Sequence, residues 1–184
     1  MKKLLKLVVS AVMTVSAAGA MAQSQPAMYA EVGYSSLKVK LDEAPFSLKA
    51  KPSALTGVFG YKFHPNMAVE GFLGMGAGSG EVKVNGLQSG VDLKVSNSVG
   101  VFFRPSLSLG DSAELFARVG YLHSKLKLSG AGVNESDSDG SVAYGLGGNI
   151  FLTKQSYLQL NWTHFYKKDG VKIEGFGVGY GFRF

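Results

Sequence analysis

The chain has 184 residues, 17% of them charged, a formal net charge of +6, 25 glycines and no cysteine. The absence of cysteine excludes a disulfide framework and leaves oxidising surroundings without consequence for the fold. Three of the basic residues lie in the first six positions, and what remains offers no concentrated basic face for nucleic acid.

Lys2, Lys3 and Lys6 precede an apolar stretch from Leu7 to Gly19, which ends on Ala20-Met21-Ala22. A basic start, an apolar middle and small residues at the exit are the order of a secretory signal peptide, so residues 1–22 are expected to be removed before Gln23. The stretch is shorter than the ~20 apolar residues a helical span requires, and Ser10, Thr14 and Ser16 interrupt it. Losing three lysines takes the net charge from +6 to +3 for residues 23–184. That length suits one domain of eight tilted strands of ~10 residues. It contains no long apolar run, so entry into a membrane requires a closed barrel whose backbone groups are all paired.

Period-two alternation predicts the strands in order. In the first, about Met28 to Leu41, Ala30, Val32 and Tyr34 share one face, but Leu37, Val39 and Leu41 have the opposite parity. Such a slip implies a bulge or an extension beyond the membrane. Leu55, Phe59, Tyr61 and Phe63 then face outward opposite Thr56, Gly60 and Lys62, and Val69, Leu73, Met75 and Ala77 do so opposite Glu70, Gly74 and Gly76. Val91, Leu93, Val95, Val99, Val101 and Phe103 read as one outward face, with Asp92, Lys94, Ser96, Ser98, Gly100 and Arg104 inward. Leu115, Ala117, Val119 and Tyr121 follow, with Leu126-Lys127-Leu128 echoing the slip of the first strand. Tyr144, Leu146, Ile150 and Leu152, then Leu158, Leu160, Trp162 and Tyr166, complete the next two outward faces. Short turns are expected at 64–66, 109–112 and 153–156, and longer loops at about 42–53, 79–90 and 129–141, with a compact one around 167–170.

The last strand carries the clearest signal. Phe176, Val178, Tyr180, Phe182 and Phe184 alternate with Gly175, Gly177, Gly179, Gly181 and Arg183. Apolar outside and small or polar inside is what a lipid-embedded barrel needs. The segment resembles the C-terminal β-signal of bacterial outer-membrane proteins in Gly179, Tyr180, Phe182 and Phe184. Together with Gly60-Tyr-Lys-Phe-His-Pro-Asn-Met-Ala-Val-Glu70 and Tyr144-Gly-Leu-Gly-Gly-Asn149, the chain resembles the small outer-membrane β-barrels of OmpA and OmpX type. The resemblance implies an all-β, eight-stranded antiparallel up-and-down transmembrane β-barrel, monomeric, with periplasmic termini and extracellular loops. It also implies periplasmic chaperones and the barrel-assembly machinery as partners during biogenesis.

On that frame the inward charges Glu31, Lys62, Glu70, Arg104, Glu114, Arg118 and Arg183 fall in the half that holds the termini. A small barrel is filled by side chains rather than water, and buried charges persist when paired. The cluster is therefore expected to plug the lumen, with a gated ion path as the alternative. Lys38, Lys40, Lys125, Lys127, Lys167, Lys168 and Lys172 map to the other half, as do Lys49, Lys51, Lys83 and Lys94. They read either as solvated strand extensions or as contacts to lipopolysaccharide phosphates. Outer-membrane lipid and a host or cell-surface ligand are the partners considered, with an envelope-structural or adhesive role. A small channel is the second reading and a lipid A-modifying enzyme a distant third.

Catalytic and cofactor signals are thin, and no cofactor or metal is expected. His123 and Ser124 are sequence neighbours, which on a strand point to opposite faces. Glu135-Ser-Asp137-Ser-Asp139-Gly140 begins like a calcium loop, but Leu146 stands where the bidentate glutamate belongs. The ladder Gly74, Gly76, Gly78, Gly80 lacks the lysine and helix of a phosphate cradle.

Overall fold

The computed structural model describes residues 28–43, 46–85, 87–130, 133–168 and 170–184. Ten strands follow one another: β1 (Met28–Glu43), β2 (Phe46–Ala50), β3 (Ser53–His64), β4 (Met67–Gly78), β5 (Gly80–Val84), β6 (Leu87–Leu109), β7 (Ala113–Gly130), β8 (Val133–Phe151), β9 (Ser156–Lys168) and β10 (Val171–Arg183). Eight of them, β1-β3-β4-β6-β7-β8-β9-β10, form an antiparallel ring that closes when β10 pairs with β1 from Tyr29↔Arg183 to Leu41↔Val171. β2 and β3 are one strand broken at Lys51-Pro52, where the proline has no N–H for the ladder but its carbonyl accepts from the Leu37 N–H at 2.9 Å. β5 likewise continues β4 past Ser79. Beyond both breaks β2 pairs with β1 and β5, and β5 with β6, so the wall runs on. The result is the expected eight-stranded up-and-down barrel.

Local chemistry sets the tight turns at the end that holds Met28 and Phe184. Pro65 and Asn66 form the β3–β4 turn, with the Asn66 N–H donating to His64 Nδ1 at 3.3 Å. Gly110 takes φ +67° in the β6–β7 turn, a left-handed conformation that glycine adopts without penalty. Thr153 Oγ1 accepts from the Gln155 and Ser156 N–H groups and so folds the β8–β9 turn. At the opposite end the segments expected as long loops are mostly strand among the described residues: β2 and β5 lie within 42–53 and 79–90, and β7 and β8 pair up to Gly130↔Val133.

The outer wall carries an apolar belt that includes Val32, Leu73, Leu160 and Phe176. Both faces change character along the strands. In β1, Lys38 and Lys40 are exposed while Leu37 is buried, and the register to β10 runs without interruption. No bulge is present there. The parity slip instead marks an exchange, in which apolar residues turn inward and lysines outward as the strand rises. β7 repeats it, with Leu122 buried and Lys125 and Lys127 exposed.

β6 departs from its predicted parity. Its register to β7 shifts between Val95 and Asn97, and Ser96 and Asn97 are both exposed. A bulge adds one residue and flips every side chain beyond it. Leu93 and Val95 are therefore buried inside the barrel and Lys94 is outside, the reverse of the sequence reading.

Candidate functional site

All eight strands of the ring send polar side chains into the half of the lumen that holds the termini. Glu31 comes from β1, Lys62 from β3, Glu70 from β4, Arg104 from β6, Glu114 and Arg118 from β7, and Arg183 from β10. Period-two geometry points them inward because their neighbours occupy the apolar belt. Arg104 is the hub. Its Nη1 lies 3.3 Å from Glu31 Oε1 and 3.1 Å from Glu70 Oε1, and its Nη2 lies 2.8 Å from Glu114 Oε1. Arg118 approaches Glu31 at 3.9 Å and Glu70 at 3.6 Å. Lys62 binds Glu114 at 2.6 Å, and Arg183 reaches the same Glu114 oxygen at 3.8 Å. The planar, multi-donor guanidinium head suits this bridging of several carboxylates. Glu70 is fully buried and Arg104 is 2% exposed.

Three further residues complete the cluster without having been foreseen. Tyr29 donates to Glu70 Oε1 and Tyr157 to Glu31 Oε1, both at 2.7 Å, and Asn149 Nδ2 donates to Glu114 Oε1 at 3.1 Å. The Arg104 guanidinium also stacks 4.0 Å from the Phe116 ring centroid. Glycine makes room for the tyrosines. Gly60 lies directly across from Tyr29, and Gly181 across from Tyr157. A Cβ at either glycine would collide with the facing ring. The signal was therefore present in the sequence as inward glycines, but only the cross-strand register says which ring each one serves.

Above the charges the lumen turns apolar. Tyr29, Val58, Phe72, Phe102 and Leu122 form a buried cluster with Phe165 packed against it, and Leu37, Ala54 and Val95 form a second beyond. Phe72 meets Phe102 edge to face at 5.8 Å. This filling differs from the small or polar interior expected from the sequence. A cavity of about 20 Å³ separates the charges from the first apolar cluster, lined by Glu31, Arg118, Gln159 and Thr163 among others. Another of about 30 Å³ lies farther up, beside Phe72, Phe165 and Leu126. Neither exceeds roughly one or two water-sized spaces.

The outer sites fall as follows. Lys38, Lys40, Lys125, Lys127 and Lys172 are exposed on the outer wall toward the end opposite the termini. Lys167 and Lys168 belong to β9, and their side chains lie outside the described residues, as do Ala20 and Ala22 of the expected cleavage site. Tyr180, Phe182 and Phe184 are exposed on the apolar belt, with Phe184 6.1 Å from Phe59. Gly179 pairs inward with Gly33. His123 is exposed outside, whereas Ser124 lies inside, its Oγ 2.9 Å from Ser98 Oγ. His164 is buried on the outer wall, stacked on Tyr144 at 4.8 Å and 3.5 Å from Glu174. Neither of its ring nitrogens has a hydrogen-bond partner. Among the described residues no group of three or more histidines and carboxylates is placed to hold a metal.

A closed eight-stranded ring with an apolar outer belt and a paired polar interior defines a membrane β-barrel of the bacterial outer-membrane class. The family model for the outer membrane protein beta-barrel domain matches residues 7–184, and the chain belongs to that family. A comparison with curated proteins gives no match. Among solved structures it is similar to Ail, the attachment invasion locus protein of Yersinia pestis, at 23% identity and TM-score 0.64 over 87% of this chain and 99% of that one. Neisserial surface protein A aligns at 10% identity and TM-score 0.65 over 88% and 100% of the two chains. OprG of Pseudomonas aeruginosa aligns at 14% identity and TM-score 0.63 over 87% and 97%. At these identities the likeness is one of fold.

Proposed function

We propose that the protein is a non-enzymatic outer-membrane barrel with a closed lumen, which acts through its outer surface and strand extensions in an envelope-structural or adhesive role. Residues 1–22 serve as a cleaved signal peptide, the turn end faces the periplasm, and the extended end faces the exterior. In this reading Gly179, Tyr180, Phe182 and Phe184 form the signal read by the assembly machinery. Deleting Phe184 should then leave protease-sensitive periplasmic protein, and normal amounts of heat-modifiable barrel from that deletion would count against it.

The observation that carries the closed-lumen reading is the sequence of two seals. Ions would have to separate the paired charges around Arg104 and then cross the Phe72–Phe102–Phe165 layer. Separating buried pairs is expensive, and an apolar layer holds no ligand for an ion. The channel alternative finds no support in these features. The enzyme alternative finds little, since His123 and Ser124 lie on opposite sides of the wall and His164 activates no hydroxyl. An adhesive role draws support from Ail, which has been crystallised with the heparin analogue sucrose octasulfate. Planar-bilayer recordings test the reading: the unmodified protein should be silent, and Arg118→Ala, which leaves the apolar layer in place, should stay silent too, whereas large, steady, voltage-independent currents from the unmodified protein would overturn it.

A further inference from the structure

The outer wall carries a row of lysines set directly across from one another. Lys172 of β10 pairs with Lys40 of β1, Lys40 with Lys49 of β2, and Lys49 with Lys83 of β5. All four are exposed. Neighbouring strands are about 4.8 Å apart, so the row spans roughly 14 Å. Like charges directly opposite in a sheet are destabilising. Three successive such pairings make a row that a bound anion would stabilise. Among the described residues Glu174 meets the row, 2.7 Å from Lys172 Nζ. Two residues lower on the same face Lys38 pairs with Glu174, and the row keeps its positive excess.

Directly beneath lies a wide, open groove on the outer wall, lined by Tyr34, Ser36, Leu146, Leu160, Trp162 and Phe176. Trp162 and Phe176, paired across β9 and β10, stand on its rim. Ser36 pairs with Phe176, and Lys38 follows two residues on along the same outward face, about 7 Å higher. The second lysine pair on the wall, Lys94 opposite Lys127 of β6 and β7, contributes nothing to the lining of this groove.

We propose that the β9–β10–β1 wall is a binding site for a phosphorylated membrane lipid, with one acyl chain in the groove and phosphate oxygens on Lys38, Lys40 and Lys172. The site rests on the reading above that the extended end faces the exterior and the protein acts through its outer surface, and it adds the ligand class and the residues. Charge complementarity fixes the headgroup, because cations on facing strands within two residues of each other suit clustered phosphates. The apolar groove directly under them selects an acylated anion over a soluble one. Glu174 positions Lys172 by holding its ammonium from the apolar side.

The test uses the full barrel in phosphatidylcholine nanodiscs doped with a phosphatidic acid that carries a photoactivatable diazirine on its acyl chain. Crosslinks should concentrate on peptides bearing Tyr34, Trp162 and Phe176. The combined Lys38→Gln, Lys40→Gln, Lys172→Gln variant should lower that labelling on the order of a hundredfold, as expected for losing three headgroup-facing cations. Ser36→Trp, which fills the groove from outside, should lower it as well. Lys94→Gln with Lys127→Gln should leave it unchanged. Labelling spread evenly round the circumference, or concentrated at the groove but unaffected by the lysine changes, would overturn the site. Loss of labelling on adding sucrose octasulfate without any preference for the groove would assign the lysines to a soluble polyanion instead and overturn the lipid. A heat-modifiability gel on each variant shows that the barrel itself has formed, so failure here is distinct from failure of the closed-lumen reading, which conductance decides.

Discussion

The two halves of the barrel are built in opposite senses. Near the termini the outside is apolar and the inside charged, with Arg104 holding three carboxylates. Toward the other end the inside is apolar, with Leu37, Val95 and Leu126 packed together, and the outside carries Lys38, Lys40, Lys94 and Lys127. The first half is an inverted core suited to lipid, and the second is an ordinary core suited to water. One continuous sheet passes from one solvent to the other by exchanging its faces.

The strongest way to break this contrast is to remove the hub of the inverted half. Arg104→Ala should destabilise the barrel by about 3–5 kcal/mol, because it leaves buried carboxylates unpaired. Urea titration in lipid vesicles measures this, and a loss below about 1 kcal/mol would mean that the cluster is solvated. Leu160→Arg, on the apolar belt, should cost about 2–4 kcal/mol. Asn161→Ser, the next residue and turned inward, should cost far less, and the reverse ranking would mean that the β9 register is wrong by one residue. In the ordinary half, Ile173→Val should cost about 0.5–1.5 kcal/mol as a core truncation. Lys127→Leu should change stability by no more than about 0.5 kcal/mol. A penalty for Lys127→Leu as large as that for Leu160→Arg would erase the distinction between the halves.

Most of the ring was legible from alternation alone, since each belt residue stands two positions from the next and the turns carry Pro65, Gly110 and Thr153. The seven charged residues were legible as inward because they oppose that belt, and the structure brings them within 4 Å of a partner. What escaped was cross-strand information. Tyr29 and Tyr157 join the cluster through glycines on neighbouring strands. The bulge in β6 escaped for a different reason. Val91 to Phe103 alternates cleanly with Ser96 and Asn97 in its middle, and a parity read through two polar residues does not reveal where the extra one sits. The parity slip of β1 was legible as a bulge or an extension beyond the membrane, and the unbroken register removes the bulge and leaves the extension.

The Arg104 cluster also bears on the order in which the molecule can form. Tyr157 and Glu31 are separated by 126 residues, and Arg183 must find Glu114 from the far end of the chain. Contacts so distant in sequence form late, because the loop they close must be ordered first. Until β10 meets β1 the carboxylates of Glu31 and Glu114 lack several of their partners and must stay hydrated. The nascent barrel is therefore wet where the finished one is dry, and expulsion of that water is tied to the moment when the first and last strands join.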